Sequence, residues 1–175
     1  MIIDALLNFD NNSTINVVGG TQPSANVIDL HIINGGLPVL SNNQGARDIG
    51  IGDDPAMKLL VLVTTAFSGG TSMSVTLQGA TDNGSGAPNA FSTWYASPVY
   101  TTAQLVAGAR LMDMDFPRPP AAIAIPRFIR LLYTTVGAAT GVVWSTIVLD
   151  RDDQSYQGTG NQNYGGYPAG ITVAN

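Results

Sequence analysis

An all-β fold, a jelly-roll-like antiparallel β-sandwich, is predicted for this chain on three observations. First, Phe128 to Val136 and Val142 to Leu149 are rich in aromatic, β-branched and Thr residues, which suit a pleated, half-buried surface. Second, Ser72 to Gln78 alternates strictly, with Met73, Val75 and Leu77 on one face and Ser72, Ser74, Thr76 and Gln78 on the other. Third, the best surface helix formers are nearly missing: there is no Glu, Lys58 is the sole Lys, and Gly, Thr, Ser, Asn and Val abound. Seven or eight short strands separated by Gly, Pro and Asn turns fit two packed layers.

Taken in order, Met1 to Phe9 is short and apolar, either a strand or one helical turn. Asn11 to Gly20 reads as a polar loop, and Asn26 to Leu30 as a compact strand that extends toward His31-Ile32-Ile33 before Gly35-Gly36 breaks it. Lys58 to Phe67 is apolar on both faces. Thr81 to Asn89 is a loop. Phe91 to Tyr100 carries four aromatics around Pro98, which favours an edge strand or a broken one. Leu105 to Met114 alternates only approximately. Gly137 to Gly141 is read as the turn between the last two strands. The second of these, with Val143 and Ile147 on one side and Val142, Trp144 and Val148 on the other, is expected to lie between two layers or under a partner. Residues 1–151 thus form one β-sandwich domain. Residues 152–175 are a Gly-, Asn- and Tyr-rich tail, disordered or folded against a partner as an arm; Tyr156, Tyr164 and Tyr167 favour the arm, because tyrosine gives contact area at low entropy cost.

Charged residues make up 11% of the chain, against about 25% in an average soluble domain, and the net charge is −5. An acidic chain carries no electrostatic footprint for a phosphate backbone or an anionic membrane, so neither partner is expected. With no cysteine there is no disulfide framework and no thiolate metal site. No apolar run approaches a membrane span and no signal segment is recognised, so a soluble, unexported protein is expected.

Catalytic chemistry finds little to work with. His31 is the sole histidine and sits in an apolar strand, with no nucleophile elbow in the chain. Asp53-Asp54, Asp113/Asp115 and Asp150/Asp152/Asp153 are acid clusters, better read as turn and loop residues than as a glycosidase pair. Asp82-Asn83-Gly84-Ser85-Gly86 opens like a calcium loop but lacks the closing Glu. No enzyme activity, cofactor or metal is expected. Trp94, Tyr95 and Tyr100 are the aromatic platform that a carbohydrate- or receptor-binding module of a virion would use.

Six segments, in order, carry a resemblance. They are Met1 to Leu7, Val27 to Leu30, Ala46-Arg47-Asp48-Ile49-Gly50, Leu59 to Phe67, Ser74 to Gln78 with Thr81-Asp82-Asn83, and Arg127 to Leu131. Over roughly residues 1–150 the chain resembles the Bbp16-like capsid cement proteins of tailed bacteriophages. His31 to Gly45, the aromatic stretch and the tail beyond Asp153 look expanded against that pattern. The resemblance implies a jelly-roll-type sandwich on the outside of an icosahedral head, clamping neighbouring major capsid subunits as a small homo-oligomer, a dimer or a trimer. Such a protein is made and assembled in the host cytoplasm and resides on the virion exterior. The contacts expected on this reading are Met1, Ile2, Ile3, Leu6 and Leu7 of the N-terminal segment, the turn at Arg47 and Asp48, and the tail tyrosines Tyr156, Tyr164 and Tyr167.

Overall fold

A computed structural model describes residues 7–30, 57–118 and 126–148. Eight antiparallel strands form one curled sheet: β1 (Asn8–Pro23), β2 (Ile28–Asp29), β3 (Lys58–Gly69), β4 (Ser72–Ala80), β5 (Ser92–Ala96), β6 (Tyr100–Thr101), β7 (Arg110–Asp115) and β8 (Phe128–Val148). The all-β, sandwich-like expectation holds, and the described residues contain no α-helix.

The spine is β8, and here the structure corrects the sequence reading. Gly137 to Gly141 is not a hairpin turn, and the two predicted strands do not pair with each other. They are halves of one 21-residue strand. On one side β8 pairs with β1, from Asn8↔Thr146 to Pro23↔Leu132. On the other it pairs first with β4 (Ser72↔Val136 to Ala80↔Phe128) and then with β3 (Lys58↔Val148 to Gly69↔Ala139). The stretch expected to be a loop, Asn11 to Gly20, is therefore most of β1. Its polar composition misleads because only Ile15 and Val17 turn inward while the residues between them face solvent.

All three long runs bend along one line. Gly19 and Gly20 in β1, Gly137 in β8, and Gly69 and Gly70 between β3 and β4 all have positive φ, the region that residues with a Cβ avoid. At this line the register slips between Val18 and Gly20 against β8, as at a β-bulge. The bend is sharp. Tyr133 and Ser145 lie twelve residues apart on β8, which a straight strand would separate by about 40 Å. Their hydroxyls are nevertheless 3.3 Å apart. The crease folds the sheet so that its halves face each other: β1 up to Val18, the end of β8, β3 and β7 on one side, and the end of β1, β2, the start of β8, β4, β5 and β6 on the other.

Between the layers lies the core of Leu59, Val61, Val63, Val143 and Ile147 from one half and Met73, Val75, Leu77, Ile129 and Leu131 from the other. The alternation predicted for Ser72 to Gln78 holds, with Met73, Val75 and Leu77 buried. Toward its end β8 is buried on both faces, as Thr146, Ile147 and Val148 show, whereas Val142 and Trp144 are only half-buried. Pro98 breaks the aromatic stretch into β5 and β6 as expected. Two glycines make room for aromatic rings: a Cβ on Gly79 would lie 2.5 Å from the Trp94 ring, and one on Gly141 would lie 2.4 Å from Phe67.

Candidate functional site

Four internal clusters hold the halves of the sheet in place. Between the layers, the buried Asp10 carboxylate accepts hydrogen bonds from the Tyr133 hydroxyl (2.6 Å), the Ser145 hydroxyl (2.7 Å) and the Ala25 amide (2.9 Å). A buried carboxylate is costly unless hydrogen-bonded, and three donors meet that requirement. Burial, then the neighbouring Asp10 charge, pushes the Tyr133 phenol well above its ordinary pKa, so the ring remains a donor. Beside it, the Ser24 hydroxyl accepts from the Leu131 amide and donates to the Asn26 carbonyl, pinning the turn after β1 onto β8.

Arg127 anchors the loop Thr81 to Asn89. Its guanidinium makes two bonds of 3.0 Å to the Asp29 carboxylate and pairs with Asp82 through Nη1. Asp82 also accepts from the Gly84 and Gly86 amides. Desolvation opposes ionisation of Asp82, but those two amides and Arg127 outweigh it and hold the carboxyl below its usual range. The loop with the calcium-like opening thus uses an arginine and its own backbone as the partners of its acid. Asn83 acts in the same way, accepting from Ser85 and Ala87.

The far side of the sandwich is closed by aromatics. Trp94 is buried and meets Phe116 edge to face at 6.5 Å, and the Tyr100 hydroxyl donates to the Leu111 carbonyl at 2.7 Å. The platform suggested by Trp94, Tyr95 and Tyr100 is therefore not assembled: Trp94 turns inward and Tyr100 is engaged across the layers. Of the acid clusters, Asp113 pairs with Arg110 at 2.6 Å, both side chains part-buried, and the exposed Asp115 pairs with Lys58. Asp53, Asp54, Asp150, Asp152, Asp153 and His31 lie outside the described residues.

Most exposed positions are polar or glycine, and two of the exposed large apolar side chains sit beside the crease glycines. Val18 is 84% exposed and Val136 58%, with Ala138 exposed opposite Val18. A separate ridge forms at the 3-10 turn Thr102–Gln104, whose Thr102 hydroxyl donates to the Gly69 and Gly70 carbonyls at the crease. There Val99 (69%) and Val106 (53%) are also exposed. Val27, next to β2 and away from the crease, is 43% exposed as well. Of the contacts expected from the sequence, Leu7 is buried in the core, with its carbonyl accepting from the Thr146 hydroxyl. Met1, Ile2, Ile3, Leu6, Arg47, Asp48, Tyr156, Tyr164 and Tyr167 lie outside the described residues. No local pattern marks these valines as exposed: Val18 follows the buried Val17 and Val106 the buried Leu105.

The family model Bbp16 matches residues 12–148, more than three-quarters of the chain. The chain belongs to the Bbp16 family. This family is phage-related, and its match begins in β1 and ends on the last residue of β8, so the Bbp16 region coincides with the creased sheet. Crease, ridge and Arg127 anchor all lie inside the Bbp16 span; Met1 to Leu7 and the tail tyrosines lie outside it. No curated protein matches the chain.

Proposed function

We propose that this Bbp16-family protein is a non-enzymatic capsid cement protein, which binds the outer surface of a phage head across neighbouring major capsid subunits. Membership of a phage-related family over residues 12–148 carries the reading. The sequence resemblance described above refines it to capsid cement, and two physical features agree with it. The polar and charged side chains described above are largely spent within the fold, and exposed valines stand beside the crease. Apolar area buried at such a contact contributes on the order of 25 cal/mol per Å² before the cost of association. A protein that binds the assembled shell and not its parts stabilises the shell by mass action, with no bond made or broken. On this reading the partners are the major capsid protein and further copies of this chain, and the location is the virion exterior after assembly in the host cytoplasm.

Cosedimentation tests the proposal. The purified protein is titrated against empty, expanded shells of the cognate major capsid protein and against free capsid subunits. A variant lacking residues 1–6 is run alongside; it stops short of Leu7, which packs in the core. Saturable binding to shells and not to subunits is expected, weakened by the deletion. Absence of binding to shells at micromolar concentration would overturn the reading.

A further inference from the structure

The long β1 strand pairs with β8 along one side only, and among the described residues no strand pairs with its other side. An open edge of this length is a template for another chain unless something blocks it. The Asn8 and Phe9 carbonyls at its start already accept from the side-chain and backbone amides of Asn26, and at Thr14–Asn16 the block is one side chain. Gln22 pairs with the inward-facing Tyr133, so it also points between the layers, and at the crease it reaches across to the first half of its own strand. Its Nε2 donates to the Thr14 carbonyl at 3.0 Å, and its Oε1 accepts from the Asn16 amide at 3.0 Å.

That pair of bonds has a specific meaning. In a parallel ladder, the residue beside Ile15 donates its N–H to the carbonyl of residue 14 and accepts from the N–H of residue 16. The Gln22 carboxamide reproduces this pattern with a side-chain amide. It stands where the peptide group of an added parallel strand would stand.

We infer that the outer edge of β1 at Thr14–Asn16 accepts an extended segment of the major capsid protein as a parallel strand, which displaces the Gln22 carboxamide. The inference rests on the capsid reading and names its mode of contact. The displaced bonds are solvent-exposed, so each contributes little net stability, and a strand that makes the same bonds at several positions outcompetes them. Two copies cannot pair β1 with β1 in this way about a two-fold axis, because strands so related run antiparallel. The side chains of Thr14, Asn16 and Val18 share the outer face of the edge, and Val18 is 84% exposed. The incoming segment is therefore uncharged here and places an apolar residue beside Val18.

The test uses expanded shells of the cognate major capsid protein as the probe, with three proteins: the unmodified chain, Gln22→Ala and Asn16→Pro. Proline removes an outward-facing N–H at an edge position and keeps the backbone bonds to β8, at the loss of one exposed side-chain bond from the Thr140 hydroxyl. Gln22→Ala is expected to bind shells about three- to tenfold tighter, because no side chain has to be displaced. Asn16→Pro is expected to lose most of the binding with little change in thermal midpoint. Hydrogen exchange at the Asn16 amide is expected to quicken in free Gln22→Ala and to slow in the unmodified protein on shells. Shell binding unchanged or weakened in Gln22→Ala, or an Asn16 amide unprotected in the complex of the unmodified protein, overturns the edge inference even if Asn16→Pro fails to fold. If shells bind none of the three proteins, the capsid reading fails and takes this one with it.

Discussion

At the scale of single residues, Asp10 and Tyr133 fix the separation of the layers. Each lies in a run that the sequence presents as ordinary, yet Asp10 is an acid fully out of water and Tyr133 reaches it from the opposing half. Tyr133→Phe removes one of three donors and leaves Asp10 under-satisfied, an expected loss of about 1–3 kcal/mol in urea unfolding at neutral pH. The variant also tests the alkaline limb. Because the native phenol is held above its unfolded value near 10, its contribution is complete below about pH 10 and is lost as the pH rises toward the native pKa. Stability of the unmodified protein is therefore expected to fall above pH 10, and that part of the slope is expected to be missing in Tyr133→Phe.

At the scale of elements, the crease decides the architecture. Five glycines on three adjacent runs share one line, and two of them also meet close neighbours: a Cβ on Gly69 would lie 2.4 Å from the Ala138 carbonyl oxygen, and one on Gly70 2.9 Å from the Ala139 Cβ. Gly69→Ala combines a left-handed backbone with that backbone collision. An expected loss of about 2 kcal/mol or more follows, read as a lower urea midpoint, since the left-handed conformation alone costs roughly 1–2 kcal/mol and the clash adds to it. A matched Ala substitution at Gly84, where φ is also positive but nothing lies within 4 Å of the added Cβ, isolates the conformational part. Should both substitutions cost the same, the crease would owe nothing to close packing at Gly69.

For the molecule as a whole, the last described strand completes the first. Since β8 lies between β1 and the β3–β4 run, neither layer is complete until Phe128 to Val148 is present, and the Asp10 cluster closes over a separation of more than 120 residues. Long-range pairing of this kind makes for slow folding and leaves exposed edges until it is done. A chain ending at Pro126 is expected to remain unfolded, with rapid proteolysis and no cooperative thermal transition. A stable, protease-resistant product from that truncation would mean that the layers can form without their spine.

Much of this was legible from residues alone. Alternation in Ser72 to Gln78 and the composition of Phe128 to Val148 predicted strands because side-chain direction along a strand depends only on local geometry. Pro98 announced the break between β5 and β6 for the same reason. The polar run Asn11 to Gly20 was misread as a loop because an edge strand with a wet outer face has few apolar residues to show. Gly137 to Gly141 was misread as a turn because glycine marks a bend without saying whether the chain then pairs with itself or with neighbours. Sequence by itself determined the all-β class, the sparse charge and the family, all of which are properties of composition, local pattern and order. Only the tertiary structure decided that Gln22 meets Thr14 and Asn16 and that Tyr133 meets Asp10. Each of those contacts exists because glycines distant in sequence align into one crease, and no local pattern encodes that alignment.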